Sequence, residues 1–459
     1  MATDFNAFLA AKRFGLGATP YEISSYARDP QGSLLQQLAR PKDALISPHQ
    51  LLNNAEALKA FYAYRRKRDT FDKTIILTGK ERSKALRERL GQPPREFTYK
   101  REVEARIFHA SQTRSPFLER LVMFWSNHLC ISVGKGQTVT TLAGPYERDV
   151  IRPNILGRFE DMLLASIQHP AMLNYLDNNR SIGPNSNYGR KSQRGLNENL
   201  AREILELHTL GVNGGYTQAD IIAFAKTLSG WTYYSAKDKK SGQFRFLKTR
   251  HEPGPKIVLN KTYPPSGKKQ AIAILKDLAK HPSTARFLSK KLVTYFLGED
   301  PDEDLVSHLS SVYLSSNGNL MALTQAMITS AKMWAGLPHA FISPYEFLIA
   351  TNRATGHVPN IKESVRMLRI LGEETWSPPS PAGWPVGPNV WLAPDALLER
   401  IDWATRISRS IRIPKNILAH SNKILEPALS SQTRRTISRA ESRQQAHALL
   451  LLSPEFQRR

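Results

Sequence analysis

The chain has 459 residues, 41% of them apolar and 23% charged, with a formal net charge of +24. That is enough for a globule with a sizeable core, and the lone cysteine, Cys130, excludes an internal disulfide or a multi-cysteine metal site. No run reaches the roughly 18 apolar residues of a membrane span, and the opening MATDFNAFLAAKRFGLG lacks the basic leader and apolar stretch of a signal peptide, so the expectation is a cytoplasmic protein.

Most of the chain reads as helix. Residues 5–12, 20–28 and 31–39 are short helices, the first two split by the Gly and Pro of RFGLGATP. Residues 50–90 carry a long charge-rich helical pattern interrupted at ILTGKE, and helix resumes over 97–113 after GQPPRE. FLERLVMFWSNHLCIS is a strong helix with Pro116 near its start, followed by helical 158–168 and HPAMLNYLDN. Residues 178–195 form a polar loop long enough to suggest a functional role. Helix 197–210 stops at Gly211, and Thr217 with Asp220 has capping-box spacing for the next helix.

Strands are expected only over 243–260, where QFRFL and KIVLN flank KTRHEPGP in a hairpin-like arrangement, with HEPGPK at its tip. Residues 268–352 return to helix, with Ser283 a candidate N-cap for a basic helix whose Arg286, Lys290 and Lys291 face either an anion or water. WSPPSPAGWPVGPN (376–389) is a Pro/Gly loop, 395–411 is helical, and 412–440 is weakly patterned. With no fixed-period repeat and no obvious linker, the expected fold is mainly α: residues 1–459 as one large multi-helix domain with a small β-hairpin insertion at 243–260.

The basic surplus is uneven. Residues 61–120 hold 16 Lys+Arg against 8 Asp+Glu, 231–300 hold 15 against 5, and 401–459 hold 11 against 4, whereas 121–230 are near balance at 10 against 9. Such a field attracts anionic partners, and it also serves plain solubility. No compact nucleic-acid motif accompanies it, so nucleic-acid binding stands as an alternative.

The densest polar stretch is RGLNENLAREILELHTLGVNGGYTQADI (194–221). On a helical wheel Asn199, Arg202, Glu203 and Glu206 share one arc, with leucines and isoleucines on the other. Two accounts stay open. Glu198, Arg202 and Glu206 at i, i+4, i+8 form a surface ion-pair ladder. Otherwise Asn199, Arg202, Glu203 and Glu206 line a cleft, with Glu203 or Glu206 as general base and Arg202 as anion clamp.

His208 falls in the middle of the apolar arc. His128 likewise shares a stripe with Phe117, Leu121 and Phe124. Each is by itself a core histidine; if the two helices meet, His128 and His208 become a candidate cofactor or metal site, the metal unspecified. No HExxH, Glu-x-x-His, GxSxG or strand-preceded GxGxxG is present to name a chemistry.

The segment LNENLAREILELHTLGVNGGYTQADIIAFAKTLSGW (196–231) resembles the signature of the bacterial family catalogued as domain of unknown function 1800. KRFGLGATP, RLVMFWSNHL, HPAMLNYLDN, HEPGPKIVL, HPSTARFLSKKL, AGWPVGPNVWLAPDALLERIDWA and LLSPEFQRR agree in order along the chain. The resemblance implies a mostly helical fold and names no activity. It matches the signature at Asn197, Glu198, Asn199, Arg202, Glu203, Glu206 and His208, which strengthens the cleft reading. It also implies a partner, a phosphatase- or sulfatase-like protein encoded nearby and often exported, with which this chain could leave the cell. The expected function is an enzyme acting on an anionic substrate, phosphorylated or sulfated and possibly a glycan; the alternatives are an accessory protein for that partner and a nucleic-acid-binding protein.

Overall fold

The structure, a computed structural model, describes residues 2–47, 49–74, 77–192, 195–358 and 360–459, without the side chains of 2–4, 74 and 388–389. Residues 75–76 and 193–194, within two of the expected segments, lie outside this description. Helices follow one another from Ala2–Leu9 to Pro454–Gln457, and strand among the described residues is confined to two small antiparallel pairs. The mainly α class is therefore the observed one.

Helix Pro116–His128 runs through the core. Pro116 occupies its first turn, where an N–H has no helical acceptor to lose. Phe117, Leu121, Phe124 and His128 are all buried, and so are Glu119 on the opposite side and Arg120 beside the stripe. Charges buried on such a helix have to be paired internally. At its N-terminal end Phe14, Phe117, Phe296 and Trp334 pack as a ring cluster, with Phe14 5.7 Å from Phe117, 5.8 Å from Phe296 and 4.8 Å from Trp334.

Among the described residues three helices widen into a π turn, at Ala10–Phe14, Glu147–Ile151 and Ile204–His208. Each turn delivers a polar side chain inward: Lys12 and Arg13, Glu147, and His208. Pro145 lies just before the second, where its missing N–H breaks the regular ladder. An extra residue per turn re-aims side chains, and here it carries ionisable groups into the core.

The strand pairing differs from the expected hairpin. Phe244–Phe246 pairs with Trp231–Tyr233, and Lys256–Val258 pairs with Lys261–Tyr263. The second pair closes through Leu259 and Asn260, both at positive φ (50° and 60°), the conformation of a two-residue I′ turn. That local closure removes Lys256–Val258 as a partner for Phe244–Phe246. HEPGPK is therefore not a hairpin tip: Glu252 is buried and accepts from the Asn185 backbone N (2.8 Å) and Nδ2 (2.7 Å), clamping the long polar loop.

Two further corrections are local. Helix Pro282–Leu297 is capped by His281, whose Nδ1 accepts from the Ser283 N–H at 3.1 Å, so Ser283 lies within the first turn. The weakly patterned 412–440 holds helices Ile417–Leu425 and Ser431–Ser438. Thr217 and Asp220 form the expected capping box. The last helices assemble near Pro394–Ser410, and the extended residues beyond Pro454–Gln457 carry Arg458 to a bridge with Phe341.

Candidate functional site

The polar arc of the 194–221 segment is half-exposed. Arg202 lies 3.4 Å from Glu198 and 3.5 Å from Glu206, and its Nη2 donates to Gln218 Oε1 at 3.0 Å. Gln218 in turn donates to Glu198 at 2.8 Å, so the ladder also ties this helix to the next. Asn199 is exposed. Glu203 stands apart on the side of Cys130 and Tyr175; burial and then Glu206 raise its carboxyl, with Arg202 acting in opposition. The structure thus joins Arg202 to Glu206, and none of the four lines the cavity described below.

His128 and His208 do meet. Their ring centroids are 6.3 Å apart, and His128 Nε2 lies 3.1 Å from the His208 carbonyl oxygen. That carbonyl ends a helix and has no acceptor role within it, so the imidazole N–H satisfies it and pins one helix end to the other. Phe124, Trp125, Phe159 and Phe287 pack around His128 with centroids 5.6–6.3 Å away. Nδ1 of each histidine has no hydrogen-bond partner. Burial holds both rings neutral, His208 down to about 3, and nearby Lys291 pushes the same way. Two neutral imidazoles can offer nitrogen lone pairs to a cofactor. Among the described residues no group of three or more His, Cys, Asp or Glu is gathered for a metal ion.

Of the basic trio on Pro282–Leu297, Arg286 pairs with Glu303 at 2.6 Å and Lys290 with the same carboxylate at 3.8 Å. Lys291 turns inward over the Phe287 ring, and burial pushes its amine down to about 8.

An aromatic cavity lies elsewhere. It has a volume of about 90 Å³ and is walled by aromatic rings, among them Tyr295, Tyr345, Trp376, Trp384 and Trp391. Its roof is the Pro/Gly loop. Asn127 fixes that loop by donating to the Trp384 carbonyl (2.9 Å) and accepting the Trp384 N–H (2.6 Å). Gly383, at φ +90°, has room for no Cβ: one would stand 2.6 Å from both Asn127 oxygens. The Cys130 thiol donates to the Pro381 carbonyl at 3.3 Å, and burial raises it to about 12, so it stays protonated.

Two carboxyls line this cavity, and their environments divide them. Both sit at the N-terminus of helix Pro344–Thr355. Glu346 closes the capping box with Ser343 and is paired with Arg120 and, at 2.8 Å, with Arg459. Despite burial, these cations hold it down to about 2. Glu373 accepts only the Tyr345 N–H at 2.7 Å as a backbone partner, and burial raises it to about 7. Carboxyls whose proton affinities diverge in one site are the usual basis of acid–base assignments.

Arg106 completes the lining. Its Nε donates to Glu147 Oε2 at 2.8 Å, and its guanidinium lies 4.2 Å from the Tyr345 centroid and 5.7 Å from that of Trp376. Stacking and the single Nε bond leave its two terminal nitrogens without a protein acceptor among the described hydrogen bonds. The Tyr345 and Thr375 hydroxyls are buried and likewise lack partners. Trp376 is held at φ +52°, a left-handed conformation costly for a tryptophan, by its Nε1 bond to Glu147 (2.9 Å) and by Val133 N–H to its carbonyl (2.8 Å).

These residues escape a reading of the sequence because they come from six distant segments. The one local signal is the Trp- and Pro-rich run 376–391.

Fold and cavity together define a mainly helical protein with an aromatic cavity that holds two carboxyls of different proton affinity. The chain belongs to the family described as "Protein of unknown function (DUF1800)", whose model matches residues 9–458. No match was found among curated proteins or solved structures. No helix among the described residues is long and apolar enough to cross a membrane.

Proposed function

We propose that the chain is an enzyme performing general acid–base chemistry on an anionic, ring-bearing substrate, a phosphorylated or sulfated sugar unit, in the cavity beneath residues 376–391. The supporting observation is that a proton-holding carboxyl, Glu373, and a guanidinium with an unbonded fork, Arg106, line one aromatic cavity. A sugar ring packs on the tryptophans, and Arg106 takes the anionic group in bidentate geometry. Glu373 gives its proton to the departing oxygen as the bond to that oxygen breaks, then recovers one from the attacking water. Glu346 stays ionised and anchors Arg120 and Arg459.

Glu373→Gln keeps the size and the Tyr345 contact but cannot transfer a proton. Its kcat should fall about 10²–10⁴-fold on a panel of sulfated and phosphorylated glycosides. In the native enzyme the rate should decline as pH rises through about 7, where Glu373 loses its proton. A glutamine variant turning over at the native rate removes this reading.

A second reading, an accessory protein for a phosphatase- or sulfatase-like partner, is favoured by the apolar residues exposed beside the roof: Val390 (46%), Leu392 (40%), Leu398 (63%) and Ile401 (47%). Contiguous exposed apolar side chains mark contact surfaces. Affinity purification from the producing cell should then retain the partner, and Leu398→Asp should release it; a partner-free native protein counts against this role.

A further inference from the structure

Beside the cavity runs a larger groove of about 560 Å³. Its walls are the start of helix Pro94–Gln112, helix Ile361–Ile370 and the 133–140 turn. Five cations line it, Arg95, Lys100, Lys362, Arg366 and Arg369, against Glu96 and Glu374. Lys362, Arg366 and Arg369 follow i, i+4, i+7, one face of their helix. Arg369 is paired with Glu374 at 2.9 Å and Glu96 with Arg87 at 3.3 Å. Arg95, Lys100, Lys362 and Arg366 have no ion-pair partner among the described residues, so the groove carries uncompensated positive charge.

Groove and cavity share a wall. Glu374 faces the groove, whereas Glu373, Thr375 and Trp376 face the cavity. Tyr99, in the groove, donates to the Thr375 carbonyl at 2.9 Å, and its ring lies 6.2 Å from that of Trp376. One short segment therefore separates a basic trough from the proton-holding site.

We infer that the groove binds an anionic polysaccharide, its sulfate, phosphate or carboxylate groups lying along Arg95, Lys100, Lys362 and Arg366, on the far side of the wall from the cavity. The assignment of the occupant rests on the reading of the cavity as a substrate site. A nucleic acid fits less well: single strands bind through stacked aromatic platforms, and the groove's one aromatic residue, Tyr99, is buried and edge-on to Trp376. Release of counterions along a row of cations gives binding that weakens steeply with salt.

The experiment measures binding of fluorescent dextran sulfate, polygalacturonate, neutral dextran and polyuridylate to the native chain and to the triple variant Lys100→Ala/Lys362→Ala/Arg366→Ala. These three side chains are exposed, and a thermal melt verifies that the variant folds. The native chain should bind dextran sulfate or polygalacturonate, neutral dextran not at all, and the triple variant should bind the anionic polymer about tenfold or more weakly, with a shallower salt dependence. Relative strength with the two anionic polymers tells sulfate from carboxylate preference. Equal binding by native and triple variant, no binding of either anionic polymer at low salt, or tighter binding of polyuridylate overturns the proposal. Turnover of a single-ring substrate by Glu373→Gln tests the cavity reading separately, since that substrate does not reach the groove.

Discussion

Arg152→Ala should destabilise the fold by about 3–5 kcal/mol, measured as the shift in urea unfolding free energy. Every donor of Arg152 is used. Its Nε and Nη2 reach Glu147 Oε1 at 3.0 and 2.7 Å, its Nη1 and Nη2 reach the two Glu119 oxygens at 2.7 and 2.8 Å, and its Nη1 also reaches the Ala44 carbonyl at 2.7 Å. All three charged residues are about 1% exposed. Removing the guanidinium leaves two carboxylates in a dry interior with Arg106 as the nearest remaining cation, and desolvation then forces one of them to take a proton. Lysine is no substitute, because a single ammonium cannot fork to both carboxylates. The loss should also reach the cavity, since Glu147 holds Arg106, Ser126 and Trp376. The contrasting control is Arg286→Ala, whose exposed pair with Glu303 should contribute at most about 1 kcal/mol. Equal effects of the two substitutions would show that burial gives Arg152 no special weight.

Sequence and structure part company where long-range packing decides. Helix Pro116–His128 is readable because its apolar residues recur at helical spacing and Pro116 marks its start. The capping box at Thr217 is readable because both partners lie within one turn. Helices Ile417–Leu425 and Ser431–Ser438 are short, and Ser431–Ser438 buries little beyond Thr433 and Ile437, too few residues to define a period. The strand partners are misread because Leu259 adopts a positive φ that its side chain does not advertise. The meeting of His128 and His208 follows from two apolar stripes, but only packing can bring them face to face. For Asn199, Arg202, Glu203 and Glu206 a regular wheel draws one arc, but it sees neither the widening of the helix at Ile204–His208 nor what each side chain faces. The cavity has no local signature: Glu373 is an ordinary glutamate until Tyr345, Glu346 and Trp376 enclose it, and Glu346 reads as a helix cap.

Acidification from pH 8 to pH 5 should remove about 5 kcal/mol of stability, a large part of the roughly 5–15 kcal/mol of an ordinary domain. Among the described residues five histidines are buried, His128, His169, His208, His420 and His447, and burial lowers every one of them. Burial lowers His208 and His169 to about 3, His447 to about 4, and His128 well below its usual value. In the unfolded chain each titrates near 6.5, so below that pH the unfolded state binds more protons and stability falls with pH. The contribution of His208, His169 and His447 is complete above 6.5 and drains away towards 3–4. At pH 5 the folded rings of His208, His169 and His447 are still neutral, so their cost is set by the unfolded value alone, about 2 kcal/mol per ring. Lys12, which burial lowers to about 7, acts in the same direction. Glu373 opposes them: its folded value of about 7 exceeds its unfolded 4.5, so the folded state holds the extra proton between those values and regains about 2–3 kcal/mol on acidification. Urea unfolding at pH 8, 6.5 and 5 measures the balance. His169 supplies the locating variant, because its Nδ1 only accepts the Ala171 N–H at 3.1 Å as a helix cap. His169→Asn preserves a capping acceptor and deletes the titration, so its stability should depend less steeply on pH than the native chain's. A flat native curve between pH 8 and 5 would mean that these rings meet water or an anion in solution, and the dry contact between His128 and His208 would have to be abandoned with it.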